Sequence, residues 1–373
     1  MTIDPATRDR LFGHSGAFTS PHPVTLGIVV ALAVGLFASG LLIQRFRNRD
    51  QLSDQSYREL YARWRSWCWL VVVIVVPILL GAAWLTIGVV VLSLLCFREF
   101  SRATGLFRDK AICAVVVLGT LLVAFASLDH WEDDRLFFAL GPLVGALIVI
   151  VTIPQDRPRG FMQRTALGLL GFALFGFSLG YLSNIANVGD LGNDIWRARH
   201  PQVESIPADA ASGVDYRPIL LFLLVAVEIN DIFAFCSGKL FGGRKLLPNT
   251  SPNKTLAGAA GALLLTTILV CAVGWFLFAG TAMQRVDLLM GLGVMISLLG
   301  QLGDLTLSSI KRDVGLKDIG ATLPGHGGVL DRFDSLVLVP PAVYHYLSAV
   351  LGPLGGATES GIITGSLMAG GGG

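Results

Sequence analysis

Long apolar runs separated by short polar stretches dominate the chain and predict membrane-embedded helices. In order the runs cover 24–43, 67–81, 82–97, 111–127, 136–153, 166–186, 219–236, 255–279, 288–307 and 336–351. Most approach the roughly 20 residues that an α-helix needs to cross a hydrocarbon core about 30 Å thick. The second and third form one nearly continuous run, divided at Gly81 on length, with Pro77 as an alternative kink. The pattern predicts an all-α integral membrane protein, a polytopic bundle of about ten membrane-embedded helices with a cytoplasm-facing polar site.

Composition narrows the class. Of 373 residues, 53% are hydrophobic and only 14% charged, which no ordinary soluble domain shows. A net charge of +2 is too small to argue for nucleic acid as a partner. Cys68, Cys96, Cys113, Cys236 and Cys271 lie in or beside apolar runs without metal or disulfide spacing, so they are packing residues. Arginines crowd 44–66, against only Arg8 and Arg10 before the first run. The positive-inside rule then puts the N-terminus outside, and alternation makes the basic loops cytoplasmic. The expected location is the bacterial inner membrane.

Four regions follow. Residues 1–66 carry the N-terminal tail, the first helix and a segment (50–69) patterned as an interfacial amphipathic helix or a short soluble linker helix. Residues 67–216 hold scaffold helices and an outer loop, with Arg98 and Glu99 as a snorkelling pair. Residues 217–352 form a catalytic membrane region, and 353–373 a Gly-rich, disordered tail.

The chemistry-bearing residues lie in the third of these regions. Glu228 and Asp231 share a face of the seventh helix. A carboxylate at the bilayer centre costs roughly 2.5–3.5 kcal/mol, so the pair faces either a wet cavity or a neighbouring helix. Ser251, Lys254 and Thr255 precede a helix N-terminus, where unpaired amides favour a phosphate. Asp304, Ser308 and Lys311 form an i, i+4, i+7 stripe on the ninth helix. Beyond it, residues 308–334 gather Lys311, Arg312, Lys317, His326 and Arg332 with Asp313, Asp318, Asp331 and Asp334 around the glycines 325, 327 and 328. Glycines let backbone approach a ligand, bases bind phosphate oxygens and carboxylates hold Mg²⁺. Both signs in one loop point to a metal-nucleotide site. His345, alone in an apolar helix, is a packed residue.

At these residues the chain resembles the phosphatidate cytidylyltransferase (CDP-diacylglycerol synthase) family. The family motif runs Ser-x-x-Lys-Arg, four residues, Lys-Asp, then Pro-x-His-Gly-Gly-x-x-Asp-Arg-x-Asp, and every fixed position is matched between Ser308 and Asp334. Asn230 with Asp231, the stretch 238–242 and the stretch 251–255 match further family motifs. Two positions depart: Ala257 stands where the family has an acidic residue, and Phe235 where a tyrosine is common.

The resemblance implies transfer of a cytidylyl group from CTP to phosphatidate, giving CDP-diacylglycerol and pyrophosphate. It implies Mg²⁺, as two ions, on Asp304 and Asp331, with Lys311, Arg312, Lys317, His326 and Arg332 holding the triphosphate or the lipid phosphate. Ser251, Lys254 and Thr255 with Gly327 and Gly328 would close the nucleotide pocket, and Asp231 would orient a lysine or a metal-bound water. A homodimer is implied in the same way. Three alternatives stay open: a CTP-dependent enzyme acting on a polyprenol or another lipid phosphate, a transporter, and a noncatalytic lipid-binding paralogue of the kind Ala257 would allow.

Overall fold

In lipid, a backbone without water must satisfy its own hydrogen bonds, and the apolar runs do so as helices. The computed structural model describes residues 11–13, 18, 21–49, 53–129, 135–186, 216–320 and 327–351. The acidic stretch 130–134, nearly all of the outer loop, His326 and the C-terminal tail lie outside the described residues. Ten helices are numbered here: α1 (Pro23–Asn48), α2 (Asp54–Leu80), α3 (Ala82–Thr104), α4 (Lys110–Asp129), α5 (Arg135–Thr152), α6 (Phe161–Ala186), α7 (Tyr216–Phe241), α8 (Leu256–Leu277), α9 (Val286–Asp313) and α10 (Val339–Leu351). The first nine are long and apolar enough to cross a membrane, and α10 is shorter. The protein is an all-α polytopic membrane protein.

Two boundaries refine the sequence expectation. The segment expected to lie at the interface is continuous with the second span, because Ser53 caps a single helix through the Ser56 amide (3.2 Å) and nothing before Pro77 breaks it. Gly81, at φ 135°, makes the turn into α3, as the division on length expected. α6 contains a π-helical stretch, Phe172–Ser178.

Helices α7, α8 and α9 position the polar face. A hairpin of β1 (Lys245–Leu247) and β2 (Ser251–Thr255) joins α7 to α8, an element that the helical pattern did not foretell. The buried Asn230 carbonyl on α7 accepts from Thr266 Oγ1 of α8 (3.0 Å) and Ser297 Oγ of α9 (2.6 Å). Gln301 Nε2 donates to Ser297 Oγ (3.1 Å), completing a polar node between three helices. Gly238 and Gly258 bring α7 and α8 close: a Cβ on Gly258 would stand 2.6 Å from the Ala234 carbonyl oxygen. His345 packs as expected, against Tyr181 and Phe138, with Nε2 3.2 Å from the Tyr181 hydroxyl.

The α7–α8 contact generates a prediction. Gly258→Leu forces the two backbones apart and is expected to cost about 1–3 kcal/mol. Thermal unfolding in detergent should show a lowered midpoint for Gly258→Leu and an unchanged one for Ala260→Leu, at an exposed site two residues away.

Candidate active site

The polar face encloses a cavity of about 710 Å³, within the size range of small-molecule sites. α7 contributes Asp231 and Phe235, the hairpin Lys245 and Lys254, α9 Gln301 and Asp304, and the segment after the glycines Asp334. Residues from Asp231 to Asp334 thus face one space, and Asp231 Oδ2 accepts from Ser335 Oγ, 104 positions on, at 2.6 Å.

The charges are paired in a chain. Lys254 Nζ forms an ion pair with Asp304 Oδ2, and Ser308 Oγ donates to Asp304 Oδ1 at 3.2 Å, so the predicted α9 stripe is a working contact. Lys311, one turn further, reaches Asp331 Oδ1 at 3.2 Å and Asp334 Oδ2 at 3.6 Å. Asp304 and Asp334 lie within electrostatic reach of each other. Burial, then the adjacent Asp304 charge, raises the Asp334 carboxyl well above its ordinary range. The cavity wall thus carries three carboxylates, Asp231, Asp304 and Asp334, against three lysines, Lys239, Lys245 and Lys254.

Asp331 has a different place from Asp304. Its Oδ2 accepts the amides of Ile319 and Gly328, both at 3.1 Å, while Oδ1 takes Lys311. It pins the two ends of the Gly-rich loop together. Gly327, at φ 82°, makes the turn that presents the Gly328 amide. Among the described residues no three His, Cys, Asp or Glu side chains converge as a ready-made metal cluster.

Most of the other predicted site residues surround the cavity without sharing its wall. Arg312 braces the end of α9, donating to the carbonyls of Thr250 and Leu316, both at 3.3 Å. Lys317 is exposed, and Arg332 lies within electrostatic reach of Glu228. Ser251 pairs with Leu247 in the hairpin. Thr255 lines the cavity and caps α8, its Oγ1 accepting the Gly258 amide at 3.1 Å. The Leu256 amide bonds to the Arg244 carbonyl at 2.9 Å. Two first-turn amides expected to await a phosphate are thus already used.

Sequence reasoning missed Glu99. The expected snorkelling side chain is 5% exposed, and its carboxylate accepts the amides of Val329 (Oε1, 3.0 Å) and Leu330 (Oε2, 2.9 Å). Only glycines fit around it: a Cβ on Gly320 or Gly328 would lie 2.7 or 2.5 Å from Glu99 atoms. Its signal was a carboxylate at the apolar end of a span. Asp334, Gln301 and Lys245 also emerge as lining residues, of which Asp334 was legible as the last position of the motif.

Removing Glu99 leaves two buried amides unpaired at roughly 1–3 kcal/mol each. Glu99→Ala is expected to accelerate hydrogen exchange at Val329 and Leu330 and to lower the unfolding midpoint. Unchanged exchange at both amides would contradict the clamp.

Comparison with known proteins identifies the family. The profile of the cytidylyltransferase family matches residues 61–350. The uncharacterized protein YnbB of Escherichia coli K12 is 29% identical over 320 residues, covering 85% of this chain and 97% of its own length. The phosphatidate cytidylyltransferase of Staphylococcus saprophyticus is 32% identical over 244 residues, covering 61% of this chain and 87% of its own. That of Staphylococcus aureus strain COL is 43% identical over 131 residues, 35% of this chain and 48% of its own. The matched span takes in Glu99, the hairpin, α9 and the whole Gly-rich motif, and the chain belongs to the cytidylyltransferase family.

Proposed function

We propose that this cytidylyltransferase-family protein transfers the cytidylyl group of CTP to phosphatidate at the cytoplasmic face of the membrane, giving CDP-diacylglycerol and pyrophosphate. The observation that carries the reading is the cavity where Lys254–Asp304 and Lys311–Asp334 meet on three helices and a hairpin. A phosphate oxygen of the lipid attacks the α-phosphorus of CTP, the bond to the β-phosphate oxygen breaks, and pyrophosphate leaves. Two anions must approach, so the protein's work is positioning and charge neutralisation.

The chain's own groups suit that work. Lys239, Lys245 and Lys254 line one side of the cavity and bind triphosphate oxygens. Lys311 holds Asp331 and Asp334 in place and remains close enough to accept a phosphate as a further partner. Asp231, fixed by Ser335, orients a lysine at the cavity floor.

The donor set fits a hard divalent cation. Asp304 and Asp334 both line the cavity within electrostatic reach of each other, and a cation between them would relieve their repulsion. Asp304 and Asp334 would hold Mg²⁺, with Asp231 nearby, while Asp331, named by the family resemblance, supports them by shaping the loop. When bound, Mg²⁺ supplies further neutralisation of the phosphates.

The test is CDP-lipid formation from CTP and phosphatidate in micelles. Product is expected with Mg²⁺ and none with a chelator. Asp304→Asn is expected to lower kcat/KM by at least about 100-fold, or roughly 2.7 kcal/mol, and Asp331→Asn to lose activity through the collapsed loop. Silence from the parent with product from Ala257→Glu would instead mark a member that has lost turnover. Product only with a polyprenol or other lipid phosphate would move the acceptor.

A further inference from the structure

A second cavity, of about 520 Å³, lies behind the active-site segment and is almost wholly apolar. It runs along α2 from Arg65 and Ser66 to Pro77 and Ile78. At about 1.5 Å per residue this stretch of helix is about 20 Å long, enough to pass through one leaflet of a core about 30 Å thick. Its charged group, Arg65, stands at one end only. The slot therefore has the polarity of an amphiphile: an anion-binding mouth and a hydrocarbon shaft.

Its walls differ in exposure. Ile78, Leu85 and Val89 belong to the buried core, whereas Trp69, Val73 and Val91 are 66%, 62% and 51% exposed. The side between α2 and α3 thus opens laterally where the bilayer lies.

The slot and the active-site cavity share two elements. Val329, Phe333 and Leu336 line the slot, while Asp334, in the same segment, lines the polar cavity. On α7, Leu224, Glu228 and Asp231 form an i, i+4, i+7 stripe whose ends line the slot and the polar cavity respectively. Glu228, midway, lies within reach of Arg332.

We propose that this slot holds one acyl chain of the anionic phospholipid acceptor, entering sideways between α2 and α3, with Arg65 and Arg332 beside its phosphate. The proposal rests on the lipid-phosphate cytidylyltransferase reading and adds where the acceptor's hydrocarbon is recognised.

Two measurements test it. The first needs no turnover: the full-length protein in nanodiscs is photolabelled with phosphatidate carrying a diazirine near the end of one acyl chain. Label is expected on α2 and α3 around Gly88 and Leu92, falling at least fivefold with excess unlabelled phosphatidate but not with phosphatidylcholine. Equal labelling by a diazirine phosphatidylcholine would mean that bulk bilayer lipid fills the slot, and would overturn the proposal.

The second measurement is chain-length selectivity. A Cβ on Gly88 meets only the Pro77 ring, at 3.7 Å, so larger side chains there enter the slot. Gly88→Leu is expected to lower kcat/KM at least tenfold for dipalmitoyl phosphatidate and less than twofold for dihexanoyl phosphatidate, with Gly88→Ala near the parent on both. Equal losses on the two acceptors would overturn the slot. An inactive parent that still labels selectively would sink the transferase reading and leave the slot standing.

Discussion

A single ammonium group organises the active-site loop. Lys311 is 12% exposed and stands between Asp331 and Asp334, themselves 8% and 14% exposed. Two carboxylates brought this close in a poorly solvated place repel each other and lose hydration, and the lysine offsets both. Removing one partner of such a buried set costs about 3–5 kcal/mol, because the remaining charge is stranded. With Lys311 in place, Asp331 is free to close the loop through the Ile319 and Gly328 amides, and Asp334 faces the cavity. The lysine proposed to meet a phosphate therefore also folds the motif.

The sequence spoke most clearly where one-dimensional spacing equals three-dimensional contact. The Asp304–Ser308 hydrogen bond follows from an i, i+4 spacing, and the membrane helices follow from apolar run length. The turn at Gly81 was legible because two spans cannot share one unbroken run. Glu99 was not legible in this way: its partners lie 230 and 231 residues downstream, and its own neighbours are those of an ordinary snorkelling side chain. The division of labour between Asp331 and Asp334 was likewise hidden. Both are motif carboxylates, and only the loop's path determines which one has its oxygens consumed by backbone amides. The hairpin between α7 and α8 is too short, at three and five residues, to carry a strand period.

The two departures from the family pattern take on physical meaning in the structure. Ala257 occupies the first turn of α8 beside the cavity, whose wall is made by its neighbours Gly258 and Ala259. An acidic side chain there would face the positive end of the helix dipole, a term of about 0.3–1 kcal/mol. Its replacement removes a supporting charge and leaves the paired lysines and aspartates of the wall intact. At Phe235 the lost hydroxyl leaves a ring on which Lys239 rests, with Nζ 4.9 Å from the ring centroid. That contact keeps a lysine at the cavity edge without the polar partner.

The segment from Gly327 to Leu336 acts as a partition. It directs Asp331 and Asp334 into the polar network, and Val329, Phe333 and Leu336 into the apolar slot. A soluble nucleotide and a lipid make opposite demands on solvent: the phosphates need lysines and water, and the hydrocarbon needs neither. On the proposed reading, one turn-rich segment held by Glu99 on one side and Asp331 on the other serves both demands, provided its backbone does not move. On that reading, rigidity here is a functional requirement. It explains why a buried carboxylate from α3, remote from the nucleotide motif in sequence, is spent on two backbone amides.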